Sequence, residues 1–192
     1  MDEIEKLKHQ LIELQKRLRS ETKSLYNRVN PVVEDLTDWK ERGDYLFGKG
    51  KNITVYNTCT VVGEVEVGKN TWIGPYTAID GTGFVKIGEN CSISSGVQIV
   101  SHDTVKWALS GGTMSYEYAP ITIGDSCFIG TNAMITKGVN IGNNCLIGAG
   151  AVVTKDLPDF AIAFGTPATI VGKVICKGEL IEFEYFKTRK QY

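Results

Sequence analysis

One histidine is the clearest candidate for chemistry in this chain. Only two histidines occur among its 192 residues, His9 and His102. His9 lies in a charged N-terminal segment, whereas His102 opens a long stretch that contains several aromatic residues. A neutral imidazole can accept a proton from an attacking hydroxyl or amine near neutral pH. We therefore interpret His102 as a candidate general base; the alternative is an ordinary loop histidine held by backbone hydrogen bonds.

A general base needs a neighbour that orients the imidazole and stabilises its charged form. Asp103 is adjacent in sequence, and Asp80 precedes the irregular stretch 81–83. Either carboxylate is a candidate for this catalytic role. Aspartate also favours turns, where it bonds to local backbone, so both can equally be turn residues. Glu117 is a further carboxylate with the same two interpretations.

The stretch 103–119 is predicted to be a functional loop, because a long segment without an apolar period between regular elements is rarely needed for structure alone. It carries Trp107, Tyr116 and Tyr118. These aromatic residues could give a substrate ring a flat apolar wall with hydroxyl and indole donors, and Glu117 is a further candidate for substrate binding. Packing within the loop, or against another subunit, remains the alternative.

The elements that must position these residues are short and repeated. An aliphatic residue, often followed by glycine, returns every sixth position between residues 53 and 153. Six fits neither the 3.6-residue period of a helix nor the two-residue period of a strand, so the residue must return once per structural unit. The phase shifts by two at Gly81–Thr82 and is lost after Ser101. The repeat residues are Val55, Val61, Val67, Ile73, Ile79, Ile87, Ile93, Ile99, Ile123, Ile129, Ile135, Ile141, Ile147 and Val153.

Six residues are expected to form one flat edge and a corner, so that three edges close a triangular coil. Successive coils would lie one strand spacing apart, about 4.8 Å, with the aliphatic side chains stacked inside. Glycines after the aliphatic residues suit such corners. An antiparallel sandwich with glycine turns is the less favoured alternative, since its strands are irregularly spaced.

Four of the five cysteines are predicted to be packing residues. Cys59, Cys91, Cys127 and Cys145 each stand two positions before a repeat aliphatic residue, and alanine or threonine occupies the same slot in other repeats. A slot that accepts these three residue types favours a small side chain pointing inward. We therefore predict that these cysteines form neither disulfides nor a metal site.

The segments outside the repeat divide the chain into three predicted parts. Residues 1–50 form an N-terminal helical segment with an apolar seam at alternating spacings of three and four, typical of a helix that seeks a partner. Residues 51–175 form the repeat domain, and residues 176–192 form a tail. The seam consists of Ile4, Leu7, Leu11, Leu14 and Leu18.

Composition excludes several classes of function. The formal net charge of −1 argues against binding to nucleic acid through bulk charge, and no apolar stretch is long enough for a membrane span. The N-terminus has no signal-peptide pattern. We therefore expect a cytoplasmic protein with a small-molecule partner.

Particular sequence blocks resemble the hexapeptide-repeat acyltransferases. Residues 123–130 and 139–144 are similar to the repeats of that family, and residues 147–158 with 164–168 are similar to its terminal signature. The resemblance covers roughly residues 50–175. It implies an all-β fold, a left-handed parallel β-helix, here with an N-terminal α-helical extension. It also implies a homotrimer and a transfer from an acyl-CoA, most simply acetyl-CoA, without a metal.

The same resemblance assigns roles to individual residues. In the family, the general base is a histidine some fifty residues before the terminal Thr-Lys pair, as His102 is here. Phe128 matches an aromatic residue that lies near the acceptor in sugar-acetylating relatives. Relatives carry two arginines after the Gly-x-Pro block, where this chain has Thr169 and Gly172. The matched coenzyme-binding positions are Thr131 and Ala149 for the pantetheine arm, and Thr154, Lys155 and Lys173 for the phosphate end.

The expected function is therefore transfer of an acyl group to a hydroxyl or amino group of a sugar or nucleotide-linked sugar. Two alternatives stay open, a non-catalytic scaffold and an acetyltransferase of a non-sugar alcohol such as an antibiotic. A zinc enzyme on the same fold would need three histidines per metal. The repeat domain contains one, which excludes that option.

Overall fold

The computed structural model describes residues 2–186, and it contains four helices and seventeen strands in that range. The helices lie mainly before the repeat. They are α1 (Glu3–Tyr26), α2 (Val32–Asp35), α3 (Trp39–Phe47) and α4 (Val105–Leu109). The strands are β1 (Thr54–Val55), β2 (Thr60–Val67), β3 (Trp72–Ile73), β4 (Ala78–Ile87), β5 (Ser92–Ile93), β6 (Gln98–Val100), β7 (His102–Asp103), β8 (Glu117–Tyr118), β9 (Ile121–Ile123), β10 (Phe128–Ile129), β11 (Met134–Thr136), β12 (Asn140–Ile141), β13 (Leu146–Ile147), β14 (Val152–Val153), β15 (Ala161–Phe164), β16 (Thr169–Lys177) and β17 (Leu180–Tyr185).

The repeat forms a solenoid of about six turns, a left-handed β-helix, as predicted. Strands pair in parallel with the strand one coil away, and Phe128 of β10 lies opposite Leu146 of β13 at the eighteen-residue spacing of three hexapeptides. The first face of the coils consists of β1, β3, β5, β10, β13 and β15. The second face contains β6, β11 and β14, and the third contains β9 and β12. The long strands β2 and β4 run through both the second and third faces.

The repeat aliphatic residues fill the inside of the solenoid. Ile73, Ile93, Ile129 and Ile147 follow one another along the first face, and each is fully buried. A buried aliphatic side chain of this size contributes about 1.5–3 kcal/mol relative to exposure. One such residue from each face of every coil therefore supplies a continuous core without long-range helix packing.

The corners explain the glycines that follow the aliphatic residues. A Cβ at Gly130 would lie 2.5 Å from the backbone nitrogen of Ala149 in the next coil, closer than atoms can approach. Glycine is therefore required where neighbouring coils touch at a corner. Asparagine takes the left-handed conformation at other corners, including Asn70, Asn90 and Asn132.

The predicted thiol slot is occupied by buried cysteines. Cys91, Cys127 and Cys145 stack at one corner, and each thiol donates to a backbone carbonyl, 3.1 Å away, in the neighbouring coil. All five cysteines are free, and Cys176 is exposed. Burial raises the pKa of Cys59 to about 11, so this thiol is unreactive near neutral pH.

The predicted helix at the N-terminus is α1, and most of its apolar seam is exposed to solvent. None of its residues is buried, and Ile4, Leu7 and Leu11 are each more than half exposed. Asp2 caps the helix start by accepting from the Ile4 backbone nitrogen at 2.9 Å. Among the described helices, none is both long and apolar enough to cross a membrane.

Glu34 joins the helical segment to the first coil. Its side chain lies in α2 and is only 4 % exposed. The carboxylate accepts from the Trp39 indole at 2.9 Å, from the Asn57 backbone at 2.9 Å, and from the backbone and hydroxyl of Thr58 at 2.8 and 2.7 Å. Burial by itself would raise the pKa of Glu34, but these hydrogen bonds hold it below its ordinary value. Trp39 also stacks on Tyr56, with ring centroids 4.0 Å apart.

Glu34→Ala is expected to destabilise this junction by about 2–4 kcal/mol, because it leaves several buried donors without an acceptor. The stabilisation that the Glu34 carboxylate gives to the folded state is fully present above the unfolded-state pKa of a glutamate. It is lost as pH falls through the lower folded-state pKa. The difference in unfolding free energy from wild type should therefore shrink in acid. Denaturant unfolding at several pH values measures this, with the exposed Glu41→Ala as the control. An equal effect of both substitutions would contradict the assignment.

A β-hairpin ends the described part of the chain. Strand β16 pairs antiparallel with β15 of the first face, and β17 pairs antiparallel with β16. The tail predicted to start at residue 176 therefore begins within β16, and residues 187–192 of that tail lie outside the described residues. The boundaries proposed at residues 50 and 175 remain predictions.

Candidate functional site

His102 lies at one corner of the solenoid, where the second and third faces meet. We call this the histidine corner, and it comprises residues 81–84, 101–120, 137–138 and 154–155. The fully buried Ser101 fixes the position of this corner. Its hydroxyl donates to the Asp80 carbonyl at 2.7 Å and accepts from the Gly83 backbone nitrogen at 2.8 Å. A Cβ at Gly83 would lie 2.5 Å from the Ser101 carbonyl oxygen, so the coils can approach here only with glycine.

His102, Asp80 and Thr82 form a connected group. The His102 Nδ1 lies 3.1 Å from Asp80 Oδ2, and both side chains are about one quarter exposed. The Thr82 hydroxyl donates to Asp80 Oδ1 at 2.6 Å and lies 3.2 Å from His102 Nδ1. The Thr82 backbone nitrogen donates to the same carboxylate oxygen at 2.9 Å. The structure thus brings together two of the predicted catalytic residues, and it adds Thr82.

The charges in this group determine where the imidazole proton lies. Burial by itself would raise the pKa of Asp80, but hydrogen bonds from Thr82 and the neighbouring His102 hold it below its ordinary value of 3.8. The carboxylate is therefore ionised and can only accept, so the imidazole donates from Nδ1. In the neutral imidazole with this tautomer, Nε2 carries the lone pair. This is the arrangement of a general base whose charged form a carboxylate stabilises.

Asp103, the other predicted orienting residue, points elsewhere. Its carboxylate accepts from the Val105 backbone nitrogen at 3.0 Å and lies 3.3 Å from Lys137 Nζ. Asp103 and His102 are neighbours in the short strand β7, and successive side chains of a strand point to opposite sides. Asp103 is therefore placed beside the loop rather than behind the imidazole.

The long loop carries the remaining predicted substrate residues. It begins and ends in the two-stranded pair of β7 and β8, where His102 lies opposite Tyr118. These two rings are 6.0 Å apart and 30° from parallel. Trp107 of α4 and Tyr116 form an edge-to-face pair at 5.7 Å, and each residue is 42 % exposed. Glu117 is paired with Lys106 and with Lys137.

Phe128 is not brought to His102 within one chain. It lies on the first face, where its half-exposed ring lines an open apolar groove of about 580 Å³ with the C-terminal hairpin. Lys173 lies in the same hairpin, and its ammonium is 3.3 Å from Glu184. Any contact of Phe128 or Lys173 with the His102 chemistry would therefore have to come from a neighbouring copy of the chain.

The other predicted coenzyme positions occupy two corners. Thr154 and Lys155 lie at the histidine corner, two coils beyond His102. Thr131 and Ala149 lie at the corner between the first and second faces, which we call the first corner, and the Gly150 backbone nitrogen donates to the Thr131 carbonyl there at 2.8 Å. The width of the second face thus separates this pair from His102 of the same chain.

Two residues of this site were not predicted from the sequence. In the sequence, Thr82 belongs only to the irregular stretch at residues 81–83. Its hydroxyl donates to Asp80 because of the turn that follows Asp80. Lys137 follows a repeat aliphatic residue at a corner, which is typical of an ordinary surface charge. Its proximity to Asp103 and Glu117 follows from the loop conformation, which the repeat does not determine.

Comparison with known sequences supports the repeat assignment. A family model described as the hexapeptide repeat of succinyl-transferase matches residues 120–155. Protein CapG from Staphylococcus aureus is 45% identical over 85 residues, which are 44% of this chain and 49% of CapG. The match therefore spans about half the length of this curated relative.

Solved structures show the same fold. A hexapeptide-repeat-containing acetyltransferase from Vibrio cholerae O1 biovar eltor, complexed with acetyl coenzyme A, has a TM-score of 0.65 at 24% identity, covering 86% of this chain and 87% of that chain. AntD, an N-acyltransferase from Bacillus cereus in complex with dTDP and 3-hydroxybutyryl-CoA, has a TM-score of 0.59 at 21% identity, covering 70% and 87%. The matched model shows hexapeptide repeats in residues 120–155, and the similarities to solved structures show that the chain shares the left-handed parallel β-helix fold of these two transferases.

Proposed function

We propose that this protein is an acyl-CoA-dependent acyltransferase that uses acetyl-CoA as donor and a hydroxyl or amino group of a sugar or nucleotide-linked sugar as acceptor. The observation that carries the proposal is the group of His102, Asp80 and Thr82 at the base of the aromatic loop. Its geometry fits a base that works without a protein nucleophile. The family's fold is compatible with that chemistry but does not select it.

The proposed reaction is direct attack on the thioester. His102 Nε2 takes the proton from the acceptor oxygen or nitrogen as that atom attacks the carbonyl carbon. The carbon–sulfur bond then breaks, and the coenzyme A sulfur leaves as a thiolate that can receive the proton from the imidazolium. Asp80 stabilises the imidazolium through the Nδ1 hydrogen bond. A positioned base of this kind contributes roughly 10²–10⁴-fold to the rate.

We propose that the coenzyme binds between two copies of the chain in a homotrimer. Thr131 and Ala149 lie at the first corner, and His102 lies at the histidine corner. A pantetheine arm held by Thr131 and Ala149 of one copy can therefore meet His102 of its neighbour when these two corners face each other. The exposed seam of α1 offers additional surface for such an assembly, since a heptad seam is stabilised by another helix.

Lys155→Ala is expected to raise the Michaelis constant for acetyl-CoA by about 3- to 10-fold with little change in kcat, because one exposed ion pair contributes on the order of 1 kcal/mol. The substitution removes the Lys155 ammonium, which in this proposal lies near the 3′-phosphate of the coenzyme. Steady-state kinetics with acetyl-CoA as the varied substrate measures it, with Lys86→Ala on the third face as the matched control. An unchanged Michaelis constant would remove Lys155 from the coenzyme site.

The acceptor proposal is supported by the exposed Trp107–Tyr116 pair, which offers a flat apolar wall with polar edges. A mutant of AntD in complex with dTDP-4-amino-4,6-dideoxyglucose and coenzyme A is a nucleotide-sugar precedent on the same fold. Thiol release from acetyl-CoA, screened over simple sugars, nucleotide amino sugars and streptogramin-like alcohols, tests the proposal. Release with a sugar class supports it, whereas release with the alcohols alone favours an antibiotic acceptor. No release together with no coenzyme binding would instead favour a scaffold.

A further inference from the structure

The antiparallel pair that carries His102 contains an unfavourable charge pair. Asp103 of β7 lies directly opposite Glu117 of β8. Like charges at opposite positions of a ladder repel and destabilise the pairing. The two strands contain only two residues each, so no longer ladder compensates for this repulsion. The other residue pair of the same ladder is His102 and Tyr118.

Lys137, from the next coil, lies between the two carboxylates. Its Nζ is 3.3 Å from Asp103 Oδ2 and 3.3 Å from Glu117 Oε2. Lys106 of α4 pairs with the other oxygen of Glu117. Hydrogen bonds to Glu117 and Asp103 raise the pKa of Lys137, so its ammonium is charged in the neutral range. Only 27% of the Lys137 side chain is exposed.

The backbone beside Lys137 belongs to the rigid solenoid. Thr136, the residue before it, pairs in β11 with Val100 of β6, just before the loop leaves the coil. The Gly138 nitrogen, on its other side, donates to the Ala119 carbonyl at 3.3 Å, just after the loop returns. Lys137 therefore links a fixed coil to both ends of a loop whose own strands repel each other.

We propose that Lys137 is a positioning residue, which neutralises Asp103 and Glu117 and thereby holds the β7–β8 pair so that His102 keeps its contact with Asp80. The catalytic part of this proposal rests on the proposed acyl transfer. The part that concerns the imidazole does not, because the position of the ring proton can be measured without any substrate. Lys137 itself has no contact with the imidazole among the described residues.

The test uses the fact that the chain has only two histidines. In a His9→Gln background, ring nitrogen signals in long-range proton–nitrogen NMR spectra come from His102 alone. We expect the Nδ1-protonated tautomer in the background protein. Lys137→Met should produce a mixture of tautomers and faster amide exchange at residues 102–118. Lys137→Arg should restore the background spectrum, and Lys86→Met, a change of the same kind on the third face, should leave it unaltered.

A compensating substitution tests the charge mechanism. Asp103→Asn removes one of the opposed carboxylates, so adding it to Lys137→Met should recover most of the Nδ1-protonated form. If Lys137→Met leaves the tautomer and the exchange rates as in the background, the proposal is wrong. It is also wrong if Asp103→Asn recovers nothing in the double variant, because charge neutralisation would then not be the cause.

Kinetics separate this proposal from the proposed function. If acyl transfer is observed, Lys137→Met should lower kcat by roughly 10- to 100-fold, the size of effect expected when a catalytic group is misplaced by about 1 Å, and Lys137→Arg should recover most of it. A fall in kcat with an unchanged tautomer would overturn the positioning role and indicate direct contact with substrate. If no acceptor supports transfer, the spectra still decide the role of Lys137.

Discussion

His102→Ala is expected to lower kcat for acetyl transfer by roughly 10²–10⁴-fold, because the acceptor would then have to lose its proton to water. The side chain is one quarter exposed, and His102 is not part of the buried hydrophobic core. The thermal midpoint should therefore change little. Initial rates of thiol release, measured alongside thermal unfolding, give both quantities.

The control for His102→Ala is His9→Ala, which changes the other histidine on the exposed helix α1. It should retain wild-type turnover. Near-normal turnover of His102→Ala would contradict the base assignment. An equal loss in both variants would show that the assay reports folding or assembly rather than proton transfer.

Asp80→Asn is expected to lower kcat by roughly 10²-fold, since an amide cannot stabilise the imidazolium by its charge and does not select one imidazole tautomer. The pKa of Asp80 lies below its ordinary value, so the carboxylate is ionised through the neutral range and is lost only in stronger acid. The rate difference between wild type and Asp80→Asn should therefore be present at neutral pH, where the Asp80 carboxylate is charged.

Asp103→Asn is the informative comparison for Asp80→Asn. Asp103 contacts Lys137 and the Val105 backbone rather than the imidazole. We expect its substitution to reduce kcat less than Asp80→Asn does. The reverse order of the two effects, measured as kcat at saturating acetyl-CoA, would show that Asp103 is the orienting carboxylate and that the contact seen between Asp80 and His102 is not used.

The period of six was sufficient to predict the solenoid, because burial alone determines where an aliphatic residue must return. Ile93, Ile129 and Ile147 are fully buried on successive coils as that period requires. The same logic accounts for Cys127 and Cys145, whose slot admits only small side chains. These features depend on local repetition, which a single sequence displays directly.

The choice between Asp80 and Asp103 could not be made from the sequence. The two aspartates were equal candidates. Asp103 is adjacent to His102 in sequence, but the pairing of β7 with β8 turns its side chain away from that of His102. Asp80 lies twenty-two residues earlier and reaches the imidazole because β4 and β6 are neighbours in the second face, where Asp80 lies opposite Val100. Such a contact depends on how coils stack at an irregular turn, where the period is lost.

The bounds of the helix α3 and the conformation of the long loop were also not predicted. Gly43, within α3, lies against the Ile53 carbonyl, and this tertiary contact has no signature in a short segment. Within the loop, α4 and the strand β8 depend on charge pairs such as Lys106 with Glu117. Their partners become neighbours only after the coils on either side have formed.

The structure of the protein bound to acetyl-CoA would test the central claim most directly. We predict that the thioester lies beside His102, with room for one acceptor atom between the carbonyl carbon and Nε2, and with the pantetheine arm along the first corner of a neighbouring copy. A thioester bound away from His102, or a ring turned so that Nε2 contacts only protein atoms, would contradict the proposed chemistry.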